Sequence, residues 1–171
     1  MLLESCFLFT GKKNVLTEGL NESKEEEDLF KSGKEYYNSS LSYNLDQEKT
    51  DIAINKLNQF IKNYPNSPKV KEVYDLLNNL FFKIERKNYC IADSYFLMGR
   101  YQASLIYFQN LIKNFPRSIF KEKVLYKICV SQYKLRRKKD FFNSYYEYLK
   151  HFKFHSNSKK LKILYKKLEK L

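Results

Sequence analysis

Phe60-Ile61-Lys62-Asn63-Tyr64-Pro65-Asn66-Ser67 returns in altered form as Leu111-Ile112-Lys113-Asn114-Phe115-Pro116-Arg117-Ser118, and more worn as Tyr148-Leu149-Lys150-His151-Phe152-Lys153. A phrase that recurs along a chain marks a repeat architecture, in which each unit buries its apolar side only by stacking on its neighbours. The spacing around the phrase identifies the unit. Ala53, Leu57, Phe60 and Ile61 stand at i, i+4, i+7 and i+8, one face of a helix. Pro65 forbids helical continuation. Ser67 caps the next helix, and Pro68 occupies its first position, where proline is tolerated. The phrase therefore joins the end of one helix to the start of another.

Working outward, Glu25 to about Asn38 reads as a helix and Leu41–Gln47 as a connecting loop, with Asp46 or Thr50 capping the helix that ends at Tyr64. Lys69 to Met98 stays helical without a strong breaker, as one long helix or as two with a bend near Lys87-Asn88. About 30 helical residues span roughly 45 Å. Gly99 suits a left-handed C-cap. Tyr101–Asn114 is the return helix, stopped by Pro116. Ser118 caps a helix over Phe120–Leu135, the basic run Arg136-Arg137-Lys138-Lys139 is a turn, and residues 139–152 form the following helix. His155–Ser158 is a turn before a last helix, whose Leu161, Leu164, Leu168 and Leu171 share one face. Its lysines, Lys159 to Lys170, form a solvated back. Asn14–Lys24 is polar, and residues 1–24 read as an irregular or flexible N-terminal segment ahead of a repeat domain over 25–171.

Composition supports an all-helical chain of 171 residues. Glycine (4) and proline (3) are scarce, and 43% of residues are apolar, enough for a core. No stretch of about 18 uncharged apolar residues is present to span a membrane as a helix. The formal charge of +13 raises nucleic acid or anionic lipid as partners. The lysines, however, are scattered over every helix rather than gathered into a phosphate-tracking stripe. The three cysteines lack metal spacing. Cys90 and Cys129 read as small buried hydrophobes. Leu3-Glu4-Ser5-Cys6 loosely resembles a lipid-attachment motif, but five positions cannot hold a basic region and an apolar stretch, so Cys6 is not expected to be lipidated from this start.

The residues then carry a family resemblance. The stretch 91–116 resembles a tetratricopeptide repeat: Ile91, Ala92 and Tyr95 match its first helix, Gly99 and Tyr101 its turn, and Ser104, Phe108, Leu111 and Pro116 its second helix and stop. The small residue lets two helices approach, and the aromatic fills the space beside it. The ladder is repeated as Ala53, Leu57, Phe60 and Pro65, and as Phe141, Tyr145, Tyr148 and Lys153. The stops at 65, 116 and 153 lie 51 and 37 residues apart, against about 34 in a regular repeat. The excess falls between Pro65 and Gly99. The fold expected is an all-α, tetratricopeptide-like helical-hairpin solenoid with one extended helix.

That long helix, the run Leu45-Asp46-Gln47-Glu48-Lys49-Thr50, and Arg100-Tyr101-Gln102-Ala103-Ser104 followed by Asn114-Phe115-Pro116 are similar to the BamD-like lipoproteins of outer-membrane assembly. The resemblance covers about residues 26–158. It implies a non-enzymatic scaffold on the periplasmic face of the outer membrane. The implied partners are the periplasmic domains of a BamA-like barrel assembly protein and unfolded outer-membrane protein precursors. Against that family, the lipid-attachment region is expected to be missing or vestigial and the first one or two repeats absent, since one helix is read ahead of the Asp46 loop.

Functional chemistry is sparse. His151 and His155 stand at i, i+4 with no further ligand spacing and read as a surface pair at a helix C-terminus. Glu25-Glu26-Glu27-Asp28 reads as an acidic helix start, favourable to the helix dipole. No nucleophile–base pair or phosphate loop can be named, so no enzyme, cofactor or small-molecule substrate is expected. Partner binding is placed on Arg100, Tyr101, Tyr107, Arg136 and Arg137, at turns and between hairpins where aromatic anchors serve. The alternatives are a general tetratricopeptide adaptor and, third, a basic helical-repeat nucleic-acid binder.

Overall fold

The computed structural model describes residues 11–41 and 46–170, with side chains from residue 23 onward. Among these residues it holds seven helices and no strand. They are α1 (Gly11–Ser40), α2 (Gln47–Asn63), α3 (Val70–Leu97), α4 (Tyr101–Asn114), α5 (Lys121–Lys134), α6 (Lys138–Phe152) and α7 (Ser156–Glu169). The chain is all-α and tetratricopeptide-like, and α3 is the extended helix that the spacing predicted.

Two corrections concern α1. It is 30 residues long and begins at Gly11, not at Glu25, so it is a second long helix. No proline interrupts residues 12–40, and once a helix is nucleated each added residue gains a hydrogen bond at little cost. The acidic run at Glu25–Asp28 therefore lies mid-helix rather than at a dipole end. Its carboxylates reach across instead: Glu26 accepts from Ser67 Oγ, and Glu27 pairs with Lys69. Cys6 and Ser42–Leu45 lie outside the described residues.

The chain divides into two compact units, Met1–Phe82 and Lys83–Leu171. In the first, Ala53, Leu57 and Phe60 are fully buried, with Phe30 and Tyr37 of α1 and Val73, Leu77 and Leu80 of α3 around them. Gly33 allows the close approach of α1 to α2, because a Cβ there would stand 3.0 Å from Leu57 Cδ2. Asp46, not Thr50, caps α2 by accepting from Lys49 N at 3.1 Å. In the second unit, Ser104, Phe108 and Leu111, then Phe141, Tyr145 and Tyr148, are buried at the corresponding ladder positions.

The recurring phrase has one geometry. Tyr64 and Phe115 end their helices with φ −128°, ψ 60° and φ −127°, ψ 72°. Each donates its N–H back one turn at 2.8 Å, to Phe60 O and to Leu111 O. Ser67 Oγ accepts from Lys69 N at 3.1 Å, and Ser118 Oγ from Phe120 N at 3.0 Å. The worn third copy keeps the device with another residue. His155 N donates to Phe152 O at 3.0 Å, and Nδ1 of His155 lies 3.3 Å from Asn157 N. His155 is therefore the N-cap of α7, which corrects its reading as half of a pair at a helix C-terminus. His151 alone stays near the end of α6, beside Glu147.

Cys129 is buried as expected. Cys90 is exposed, because Tyr89, Ala92 and Phe96 take the inward positions of that stretch of α3.

Candidate partner-binding surface

Two turns of the second unit share one construction. At the end of α3, Gly99 has φ 72°; its N–H donates to Phe96 O at 3.0 Å and that of Arg100 to Tyr95 O at 2.9 Å. At the end of α5, Arg136 has φ 56°; its N–H donates to Tyr133 O at 3.0 Å and that of Arg137 to Gln132 O at 2.9 Å. Both are Schellman caps, in which a left-handed residue turns the chain while the last helical carbonyls find partners. Arg100 and Arg137 follow as the N-caps of α4 and α6, with φ −81°, ψ 62° and φ −85°, ψ 75°. Neither side chain caps its own helix. Arg137 Nη2 donates to Gln102 Oε1 at 2.7 Å, which ties the second turn to the first turn of α4.

The structure thus brings Arg100, Tyr101 and Arg137 to neighbouring turns, with Arg136 exposed beside Arg137. Tyr101 is half-buried and sits edge-on to Phe96, with ring centroids 5.6 Å apart. Tyr107 lies six residues further along α4. It is 40% exposed and stacks on Tyr95 of α3 at 5.2 Å with a 13° interplanar angle. Hydroxyl-bearing rings stacked at a surface offer a rigid, amphipathic anchor. Spacing alone did not single out Leu97 and Met98, which are 77% and 65% exposed in the α3–α4 turn. Nor did it single out Gln102, whose partner is 35 residues away. The basic turn residues therefore flank exposed apolar ones.

The opposite ends of these helices hold a polar network instead. Glu122 Oε1 accepts from Tyr148 Oη at 2.6 Å and from Asn157 Nδ2 at 3.1 Å, and it lies 2.9 Å from His155 Nδ1. Burial, reinforced by the adjacent carboxylate, pushes the Tyr148 hydroxyl far above the usual phenol range. The network joins α5, α6 and α7 and contains no activated nucleophile. Nearby, Lys127 pairs with Asp93 and lies over the rings of Tyr89 and Phe96, fastening α5 to α3. Among the described residues no group of three or more His, Cys, Asp or Glu side chains is placed to hold a metal ion. No helix there is long and apolar enough to cross a membrane.

These features define a helical-repeat protein that carries paired turns, stacked tyrosines and exposed apolar side chains beside arginines. Residues 17–149 match the YfiO family, described as outer membrane lipoprotein. The match spans well over half of the chain, and the chain belongs to this family. No curated protein matches it.

Proposed function

We propose that this chain is a non-enzymatic, BamD-like scaffold of outer-membrane β-barrel assembly, working at the periplasmic face of the outer membrane. On this reading it holds the periplasmic domains of a BamA-like barrel assembly protein and helps to receive unfolded barrel precursors. Membership of an outer membrane lipoprotein family supports the setting. The single observation that carries the binding role is the α3–α4 turn. There Leu97 and Met98 stand exposed while Arg100, Arg136 and Arg137 crowd the neighbouring turns. An apolar centre with a charged rim is the usual anatomy of a protein interface. The arginines would select a partner edge bearing carboxylates, and Tyr107 on Tyr95 would supply an aromatic anchor.

The test is a binding titration of the full chain against purified periplasmic domains of the barrel assembly protein. Saturable binding, weakened tenfold or more by Met98→Glu or by Tyr107→Ala, is the expected result. A chain that binds no such domain, and recovers none from native membranes, is not an assembly scaffold. A general adaptor would instead recover other proteins.

A further inference from the structure

The last helix carries a separate surface. Ser158, Leu161 and Leu168 of α7 are buried, and Leu164 and Tyr165 pack partly against the same core. At 100° per residue these positions occupy one side of the helix. The other side is a row at i, i+4, i+7 and i+11: Lys159, Ile163, Lys166 and Lys170, all exposed. Lys162 and Lys167 flank it, and Lys160 lies at its edge. Six exposed lysines thus face one acidic residue of the helix, Glu169, and among the described residues none of the six has an ion-pair partner. Charge scattered along the sequence is gathered by the helix into a stripe roughly 16 Å long. At its N-terminal end Phe154 is 96% exposed, with Lys153 Nζ 5.8 Å from its ring, and Ile163, 56% exposed, lies within the row.

We infer that the outward face of α7, with Phe154 at its end, is a docking surface for an anionic phospholipid bilayer. Charge complementarity carries the choice of occupant. Lysine ammonium groups on long stems reach headgroup phosphates as point charges, whereas α7 has none of the arginine forks that suit bidentate phosphate recognition. A helix with one packed apolar face cannot turn it to the lipid, so the apolar contribution falls to Ile163 and Phe154. These enter a headgroup layer readily and have no counterpart along a nucleic-acid backbone. A family of outer membrane lipoproteins also puts a bilayer within reach. The surface does not depend on the barrel-assembly reading, since it requires only lipid.

The experiment is flotation of the full chain with vesicles of phosphatidylethanolamine and phosphatidylglycerol, beside vesicles of phosphatidylcholine alone. Binding is expected to the first and not to the second, and to fall as salt rises. Lys159→Glu/Lys166→Glu/Lys170→Glu is expected to weaken partitioning by roughly 100-fold or more, since about 1 kcal/mol per lysine is lost before the repulsion of the new carboxylates is added. Lys31→Glu/Lys71→Glu/Lys123→Glu makes the same change in net charge at exposed positions of α1, α3 and α5, and should leave binding within about threefold. Circular dichroism checks that both variants keep their helices. Equal losses in the two variants would show a response to net charge alone and overturn the assignment. So would absence of binding to the anionic vesicles, or a duplex DNA that competes the chain off them at equal phosphate concentration.

Discussion

Arg136 holds at the end of α5 the left-handed conformation that Gly99 holds at the end of α3, with φ 56° against 72° and the same pair of reverse hydrogen bonds. An L-residue pays about 1–2 kcal/mol for that region, and glycine does not. Against this, glycine loses more backbone freedom on folding. Arg136→Gly should therefore raise stability slightly, by up to about 1 kcal/mol. Gly99→Ala should lower it by about 1 kcal/mol, from φ alone, because a Cβ at Gly99 meets nothing within 4 Å. Urea denaturation of the two variants measures both signs.

Ser104 and Phe108, one turn apart on α4, are both fully buried. Ser104 Oγ is buried and has no hydrogen-bond partner among the described residues. An unsatisfied hydroxyl costs more than it returns, so Ser104→Ala should be neutral or stabilising by up to about 1 kcal/mol. Ser104→Leu should cost about 1–3 kcal/mol by overpacking. Phe108→Ala, which empties a fully buried site, should cost about 3–5 kcal/mol. Thermal melts followed by circular dichroism would rank the three.

Alkaline pH should unfold the chain early. Burial raises the Cys129 thiol from 9.0 to about 12, and raises the Tyr148 hydroxyl as well. The folded state thus keeps protons that the unfolded state releases. A raised folded pKa gives stability that is complete below the unfolded value and is lost as pH climbs through the window above it. Stability should fall between about pH 9 and 12, and the fall should be shallower in Cys129→Ala. Denaturant midpoints across that range provide the check.

Thiol labelling separates the two described cysteines. Cys90 is exposed and Cys129 buried, so a thiol reagent at neutral pH should modify Cys90 in the native protein and Cys129 only after denaturation. Mass spectrometry of digested, labelled protein locates the adduct. Prompt native modification of Cys129 would contradict the packing of α5.

Removing the carboxylate that joins the last three helices should loosen α7 first. Glu122→Ala removes the acceptor of Asn157 Nδ2 and leaves Tyr148 Oη only the longer contact to His155 Nδ1 at 3.3 Å, at a cost of about 1–3 kcal/mol. Hydrogen exchange should show faster exchange in α7 than in α4, where no part of this network lies.

The ladders were legible residue by residue. Ala53, Leu57 and Phe60, and Ser104, Phe108 and Leu111, recur at steps of four and three, and each lies in a core. So were Asp46 and Gly99, because caps and stops act within a few residues of themselves; Ser67 and Ser118, read as caps, instead accept from Lys69 N and Phe120 N just ahead of α3 and α5, which places Pro68 before the first residue of α3. Among the candidate binding residues, the place of Arg100, Arg136 and Arg137 in turns was read from the sequence, whereas their exposure came from the structure. The stacking of Tyr107 on Tyr95, the exposed Leu97 and Met98, and the Arg137–Gln102 bond did not follow, since each depends on which helices become neighbours. Cys90 misled because apolar neighbours in sequence say little about which side of a helix faces inward.

By itself, then, the sequence determined the helical-repeat class, the ladder positions and the kinds of turn, all of which arise from short-range sterics and a 3.6-residue period. Only the tertiary structure decided that Glu122 gathers three partners and that the lysines of α7 share an outward side. Those relations join residues from different helices, or depend on which side of a helix is covered. They come into being only when the hairpins pack.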